Sequence, residues 1–185
     1  MSSDAPAPLP SPPAAPGATV RLGSLEVALP PLLAPRPADG SPPHPLHSAW
    51  AFWAQKKLKR TPGASWHEGT TCLGRFDTVE GFGALYARLA RAEAVPGSAD
   101  VMLFRDGVRP MWEDEANKVG GKWTLTMRKA GASVLWEELV LALVGETLDA
   151  AADVCGAILS VRYQDQSLSL WHRSSDNDAV TARLR

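Results

Sequence analysis

The chain has 185 residues, of which 45% are hydrophobic and 21% charged, and this is enough for one domain with a packed core. Nineteen Lys and Arg residues stand against twenty Asp and Glu residues, which excludes a uniformly basic surface, so any recognition of an anion must be local. No segment has the ~18 consecutive apolar residues of a membrane helix, and no secretion signal is present, so we expect no membrane partner.

The first 45 residues differ in composition from the rest of the chain. They hold thirteen of the sixteen prolines and none of the seven tryptophans. This composition predicts a disordered, Pro/Ala-rich arm over residues 1–41 and a globular domain over residues 42–185. Within the arm, Val20–Leu29 alternates apolar and other residues, so it either docks as a strand or remains a solvated tail.

The first half of the domain contains two predicted strands and a helix. Ala49–Ala54 has the composition of a strand, and a basic loop over Lys56–Arg60 follows it. Thr78 offers an N-cap for an amphipathic helix. The apolar residues of that helix fall at helical spacing on one face: Val79, Phe82, Leu85, Tyr86 and Leu89. A short strand is predicted over Asp100–Phe104.

The second half is rich in one-sided strands. Lys122–Arg128 alternates, with Trp123, Leu125 and Met127 on one face. The remaining predicted elements are a helix from a Ser133 cap to Gly145, a hairpin of Cys155–Tyr163 with Ser167–His172, and a helix from about Asp176. Tight turns and one-sided strands favour an α+β fold, in which helices cover one face of an antiparallel sheet.

Two tryptophans lie where a core would make little use of them. Trp66 lies in a loop rich in Gly, Ser and His, and Trp112 precedes the acids Glu113–Glu115. Either tryptophan could instead have a purely structural role, as a side chain that fills a gap in the packing. Two loop tryptophans beside a carboxylate favour instead a slot that stacks a flat ligand, and a cationic ring most strongly. The N1–H and N2–H donors of a guanine edge would suit such a carboxylate.

The segment around Trp112 resembles the signature of the eukaryotic translation initiation factor 4E family, whose members bind the 7-methylguanosine cap of messenger RNA. The chain has Met-Trp-Glu-Asp-Glu at 111–115 and Gly-Gly-Lys-Trp at 120–123. Further similarity lies at His44-Pro-Leu, Phe76–Glu80, Leu143–Glu146 and Asp153–Ala157, over about residues 44–181 in all. The chain looks like a short, divergent member of this family.

The resemblance implies how the base of the cap would be bound. Trp66 and Trp112 match the two tryptophans that sandwich it, and its positive charge would add a cation–π attraction. Glu113 matches the glutamate that pairs with the guanine edge. Trp171 matches a third tryptophan, which touches the methyl group.

The residues implied for the phosphates are fewer than usual. Arg162 and Lys122 match basic positions of the family, whereas Ser167 stands where a second lysine is usual. The alternatives are a surface ion pair for Arg162 and a solvated strand face for Lys122. The basic run of Lys56, Lys57, Lys59 and Arg60 either compensates by contacting the first nucleotides or is a solvated loop.

The resemblance also implies a curved, eight-stranded antiparallel sheet that cups the cap, with three helices on its convex back. Because the sequence ends four residues after Thr181, we expect a shortened C-terminal edge, with one strand fewer or a rearranged edge strand.

On that back, members of the family bind the initiation scaffold, factor 4G, and competing repressors. The matching positions are His44, Pro45, Leu46, Val79, Gly83 and Glu137. Gly83 replaces a tryptophan, which removes a hot spot of about 2 kcal/mol or more. Glu137 replaces a leucine, and burying its carboxylate against a partner would cost free energy. We therefore expect a factor 4G-like scaffold or binding protein with a non-standard motif, unless the N-terminal arm covers this face in cis.

A catalytic role has little support in the sequence. The four histidines match no metal-binding spacing, and neither a GxSxG elbow nor a phosphate-binding glycine loop is present. Cys72 and Cys155 are expected to be buried and unreactive. We expect a monomeric, cytoplasmic protein that is not an enzyme and needs no metal or cofactor. The rival interpretation is an interaction module, or a repressor, that has lost cap binding or does not recruit the scaffold.

Overall fold

The computed structural model describes residues 19–22, 25–28, 37–56, 69–89, 91, 94, 98–128 and 131–184. Its strands are β1 (Thr19–Leu22), β2 (Leu25–Ala28), β3 (Pro45–Lys56), β4 (Thr70–Thr78), β5 (Ala99–Arg105), β6 (Gly121–Arg128), β7 (Val154–Val161) and β8 (Asp165–His172). Its α-helices are α1 (Val79–Tyr86), α2 (Ala132–Val144) and α3 (Asp178–Arg183), and a 3₁₀ turn covers Ala151–Asp153.

Six strands form one curved, open sheet in the order β4-β3-β5-β7-β8-β6, and every pair in it is antiparallel. The predicted α+β class is therefore confirmed. In the part of the chain that the structure describes, the sheet has two strands fewer than the eight implied by the resemblance. β6 forms one edge, where Leu125 is 54% exposed.

Strand β3 separates two cores by simple alternation. Trp50, Phe52 and Ala54 point to the side that carries the helices, whereas Ala51 and Trp53 point to the opposite side. On the helix side, the Phe52 ring stacks near Phe76 and Phe82, which belong to β4 and α1. The smaller core on the opposite side lies beneath the loop that joins β5 to β6.

All three helices cover the same face of the sheet. Phe82 of α1 and Trp136 of α2 are buried in the larger core, and Leu184 packs against it after α3. The Thr78 hydroxyl accepts a hydrogen bond from the Gly81 N–H, so the predicted N-cap of α1 is confirmed. The helix ends at Tyr86, earlier than predicted, although Leu89 still packs against the core.

The predicted N-cap of α2 is wrong. The cap is Gly131, whose φ of +94° lies in the left-handed region that favours glycine, and Ser133 is a buried residue of the first turn.

Two further differences concern strands. β7 ends at Val161 and not at Tyr163, because Val161 already pairs with Gln166 across the hairpin. β4 has three consecutive buried residues, Cys72–Gly74, and this lack of alternation hid its length from the sequence pattern.

Part of the N-terminal arm is described by its backbone alone. The segment that could dock as a strand instead pairs with itself, as a separate two-stranded sheet of β1 and β2. Most other residues of the arm lie outside the described residues, so the domain boundary stays a prediction. No helix among the residues described has the length and apolar character required to cross a membrane.

Candidate functional site

The loop between β5 and β6, residues 106–120, is held in shape by two buried polar side chains. The Asp114 carboxylate accepts hydrogen bonds from the Arg109 N–H at 3.0 Å and from the Ala116 N–H at 3.1 Å. The Asn117 amide donates to the carbonyl oxygens of Arg109 and Met111, both at 2.8 Å. Because these bonds satisfy the backbone from within, the loop is fixed without help from a ligand.

These roles of Asp114 and Asn117 were missed in the sequence, where the acids were considered only as a run. The signal was present, because Asp and Asn side chains commonly bond to backbone groups a few residues away. Once Asp114 is turned inward, its neighbours Trp112 and Glu113 are left exposed on the outer side of the loop.

Trp112 lies directly on Trp171. The ring centroids are 3.9 Å apart and the planes are inclined by 32°. Trp171 is 4% exposed and makes an edge-to-face contact with Phe104 of the smaller core, whereas Trp112 is 42% exposed. A flat ring between the two indoles would need about 7 Å, since each stacked contact takes about 3.5 Å. A stacking ligand must therefore use the outer face of Trp112 or displace it from Trp171.

The Lys122 ammonium lies over both indoles. Lys122 stands opposite Trp171 in the register of β6 and β8, and its Nζ is 5.6 Å from the Trp171 centroid and 5.7 Å from that of Trp112. This is within the range of a cation–π attraction. Lys122, the predicted phosphate contact, is thus held at the indole faces in this structure.

Arg162 follows the last residue of β7 and is anchored at that end of the sheet. Its Nη1 lies 2.7 Å from the Asp100 carboxylate and donates to the carbonyl oxygens of Ala99 and Val161. The ion pair that was the alternative to a phosphate contact is therefore formed. The side chain remains 31% exposed, so an anion can approach the guanidinium from solvent.

The other predicted contacts with the ligand cannot be placed. Trp66, Lys57, Lys59 and Arg60 lie outside the described residues. Lys56 is the last residue of β3, but its side chain is not among those described. The second wall of the stacking slot and the basic run remain predictions.

The residues matched to a partner surface come together on the helix side. His44 bonds to Glu80 through its ring Nδ1 at 2.6 Å and its backbone N–H at 3.0 Å, and this bond lowers the pKa of the Glu80 carboxyl. Pro45 and Leu46 begin β3, next to α1. On α1, Val79 is 50% exposed, and a methyl group added at Gly83 would meet nothing within 4 Å outside its own helix.

Glu137 lines a groove of about 240 Å³ between the end of α1 and the start of α2. Tyr86, Leu89 and Trp136 form much of the wall, and Arg91 lies 3.9 Å from the Glu137 carboxylate. Burial, with the nearby charge of Glu137, raises the pKa of Tyr86 to about 12. The groove therefore combines an apolar wall with a charged side made of Glu137 and Arg91, and Glu137 is the position at which the resemblance implies a leucine.

The described residues group no metal ligands and expose no cysteine thiol. No three His, Cys, Asp or Glu side chains among them are grouped so as to hold a metal ion. Both cysteines are buried, and burial raises the pKa of the Cys72 thiol to about 11 and that of Cys155 above its usual value. The predicted burial of both cysteines is confirmed, and neutral, buried thiols are in general poor nucleophiles.

Comparison with known proteins decides the family. Residues 45–185 match the family model described as eukaryotic initiation factor 4E. The chain belongs to the eukaryotic initiation factor 4E family. It is 44% identical over 141 residues to a translation initiation factor NCBP of Arabidopsis thaliana, which covers 74% of this chain. It is 41% identical over 160 residues to isoform 4E-2 of Zea mays, with 86% of this chain covered.

Solved structures of relatives agree with the fold. A Caenorhabditis elegans eIF4E-3, in complex with the 4E-binding protein Mextli and a cap analog, superposes with a TM-score of 0.72 at 35% identity, covering 77% of this chain and 82% of the relative. An Ascaris suum eIF4E-3 with the m7G cap gives a TM-score of 0.71 at 35% identity, covering 77% and 80%. The chain spans 61–63% of the length of NCBP relatives from three plants.

Proposed function

We propose that this chain binds the 7-methylguanosine cap of messenger RNA and acts, as a non-enzymatic factor in the cytoplasm, in translation initiation or its regulation. The observation that carries the proposal is the arrangement of Trp112, a half-exposed indole on a fixed loop, with Trp171 beneath it and a cation over both rings. The relatives solved with cap or cap analog support it.

The base of the cap would stack on Trp112, with Trp66 as the second wall. Methylation at N7 makes the purine a cation, and an indole attracts a cationic ring by about 0.5–2 kcal/mol. Glu113 is exposed beside Trp112, so its carboxylate can accept the N1–H and N2–H bonds of guanine and also balance the positive charge. Trp171 would contact the methyl group once Trp112 moves off its face, because the two indoles are in contact in this structure.

The phosphates would be bound by Lys122 and Arg162. A lysine ammonium sits on a flexible stem, so Lys122 can leave the indole faces to the methylated base and turn to the phosphates. The Arg162 contacts described above involve Nη1 alone, which leaves Nε and Nη2 to face an anion. The basic run from Lys56 to Arg60 would contact the first nucleotides.

A titration of tryptophan fluorescence with 7-methyl-GTP and with GTP tests the proposal. We expect quenching selective for the methylated ligand. Trp112→Ala should lower that affinity at least tenfold, and Trp112→Phe should lower it less because a ring remains. Glu113→Gln should also weaken binding strongly, since a charged acceptor of two bonds is lost.

Glu115→Gln is the matched control, because Glu115 is an exposed acid of the same loop whose carboxylate pairs only with the exposed Lys118 in the described structure. Its affinity should equal that of the wild type. Equal binding of GTP and 7-methyl-GTP, or equal effects of the two Glu→Gln changes, would contradict the proposed site.

Two residues on the helix side favour a second role, that of a cap-binding repressor that does not recruit the usual scaffold. Gly83 leaves open space there and Glu137 brings a charge into the groove. The partner would then be a binding protein with a non-standard motif, and the C. elegans relative solved with a 4E-binding protein supports a partner of this general kind. Binding of a factor 4G-like scaffold by the cap-loaded chain would distinguish the two roles.

A further inference from the structure

The two edges of the six-stranded sheet are protected to different degrees. At one edge, β4 pairs with β3 through a ladder with two register shifts, and it carries the exposed, charged residues Arg75 and Asp77. At the other edge, β6 pairs with β8 over all eight of its residues without a shift. Bulges and charges keep an edge strand from pairing with other chains. The regular strand β6 lacks this protection along its centre.

The outer side of β6 offers backbone groups for pairing. The centre of the strand, residues 123–127, contains neither a charge nor a proline. In the part of the chain that the structure describes, the backbone hydrogen bonds of β6 go to β8 alone. An edge strand presents a row of N–H and C=O groups without a strand partner, and these groups match the backbone of another extended chain.

An apolar groove of about 310 Å³ lies beside this edge, on the helix side of the sheet. Its apolar lining consists of Trp123, Leu125, Leu139, Leu168, Leu170 and Leu184. Leu125 is 54% exposed, so the groove is open at the edge strand itself. A strand paired with β6 would lie about 4.8 Å from it, and every second side chain of that strand would point to the groove.

Both charged residues of β6 are basic. Lys122 and Arg128 lie near the two ends of the strand, six residues apart, and by alternation on the face opposite the groove. Arg183, at the end of α3, is exposed next to the groove residue Leu184. Asp165 stands across from Arg128 on β8 and balances part of this charge. The edge as a whole therefore favours a partner strand with acidic ends.

We propose that β6 and this groove dock an extended segment of another protein, which joins the sheet as a seventh strand. The segment has aliphatic residues at alternate positions, directed to the groove, and acidic residues six apart, directed to Lys122 and Arg128. Backbone hydrogen bonds provide affinity in this mode, and the pockets for alternate side chains provide specificity. The inference does not depend on binding of the cap.

Charge favours such a partner over a second copy of this chain. Two β6 strands paired antiparallel about Leu125 would place Lys122 of each copy opposite Arg128 of the other. Like charges directly opposite each other destabilise a strand pair, and here they would meet at both ends.

A synthetic peptide with blocked ends and a fluorescent label tests the proposal. Asp-Val-Thr-Val-Thr-Val-Asp has the required pattern in either chain direction, and fluorescence anisotropy measures its binding to the full chain. The control Lys-Val-Thr-Val-Thr-Val-Lys keeps the pattern and reverses the charge, and it should bind at least tenfold more weakly. Hydrogen exchange should slow at alternate amides of β6 when the acidic peptide binds, because those N–H groups gain a partner.

Two substitutions separate the groove from the charge. Leu125→Asn should weaken binding of the acidic peptide about tenfold, and Arg128→Gln by up to about fivefold, the effect of one exposed ion pair. Leu141→Asn is the matched control, because Leu141 is 51% exposed on α2 and does not line this groove. Its peptide affinity should equal that of the wild type. Thermal unfolding verifies that each variant is folded.

Four results would overturn the proposal. They are the absence of acidic-peptide binding at millimolar concentration, equal binding of the two peptides, equal losses in Leu125→Asn and Leu141→Asn, and binding without protection of the β6 amides. A wild type that dimerises at micromolar concentration, with the dimer lost in Leu125→Asn, would assign the edge to a second copy and overturn it as well.

Discussion

The loop 106–120 lies on one side of the sheet, and the groove between α1 and α2 lies on the other. The two differ in how far their own side chains fix their shape. In the loop, Asp114 and Asn117 are buried and bonded to the backbone, and they leave Trp112 presented to solvent. On the other side, Gly83 of α1 leaves open space, and Glu137 of the groove pairs with the exposed Arg91 at 3.9 Å. Since the loop and the groove share no residue, we expect substitutions in one to leave the other unaltered.

The largest expected effect comes from a substitution that disrupts the loop 106–120. Asn117→Ala removes two hydrogen bonds to the carbonyl oxygens of Arg109 and Met111, each of which keeps one backbone donor, and at about 0.5–1.5 kcal/mol per bond this should destabilise the fold by up to about 3 kcal/mol. Binding of 7-methyl-GTP should fall with it, because Trp112 loses its fixed position. Thermal unfolding and ligand titration measure the two effects. Lys118→Ala, an exposed change in the same loop, should alter neither, and comparable losses in both variants would refute the organising role of Asn117.

The next effect concerns the helix side of the sheet. Gly83→Trp combined with Glu137→Leu introduces the side chains that the resemblance implies at these positions, and binding of a factor 4G-like peptide should improve by about 2 kcal/mol, more than tenfold. Affinity for 7-methyl-GTP should stay constant, because neither residue contacts the loop. Calorimetric titration of the peptide and of the cap ligand gives both values. A change in cap affinity would show that the two sides of the sheet are coupled.

The smallest effect is one of stability alone. Gly83→Ala should stabilise the chain by about 1 kcal/mol, since alanine is the better helix former and its methyl group meets no neighbour there. Chemical denaturation provides the free energy of unfolding. Gly107→Ala offers a contrast with equally open space but a φ of +84°, and it should destabilise. Destabilisation by Gly83→Ala would mean that the outer face of α1 is not open.

The local sequence pattern correctly predicted the structural features that depend on contacts between neighbouring residues. The alternation of β6 and the Thr78 cap were predicted because neighbouring residues decide them. The Ser133 cap was wrong because Gly131 starts α2 with a left-handed backbone that no serine favours. The contact between Trp112 and Trp171 joins residues far apart in the sequence, through a strand register that no pattern displays. The resemblance named both residues without indicating that they touch.

The close pair of indoles also provides a spectroscopic signal that reports the relative orientation of Trp112 and Trp171. Two tryptophan chromophores 3.9 Å apart and inclined by 32° couple their electronic transitions, which gives a paired positive and negative band in circular dichroism. The sign and size of such a couplet depend on the mutual orientation of the rings and not on the polarity around them. A ligand that lifts Trp112 from Trp171 would abolish the couplet, whereas one that stacks on the outer face of Trp112 would preserve it.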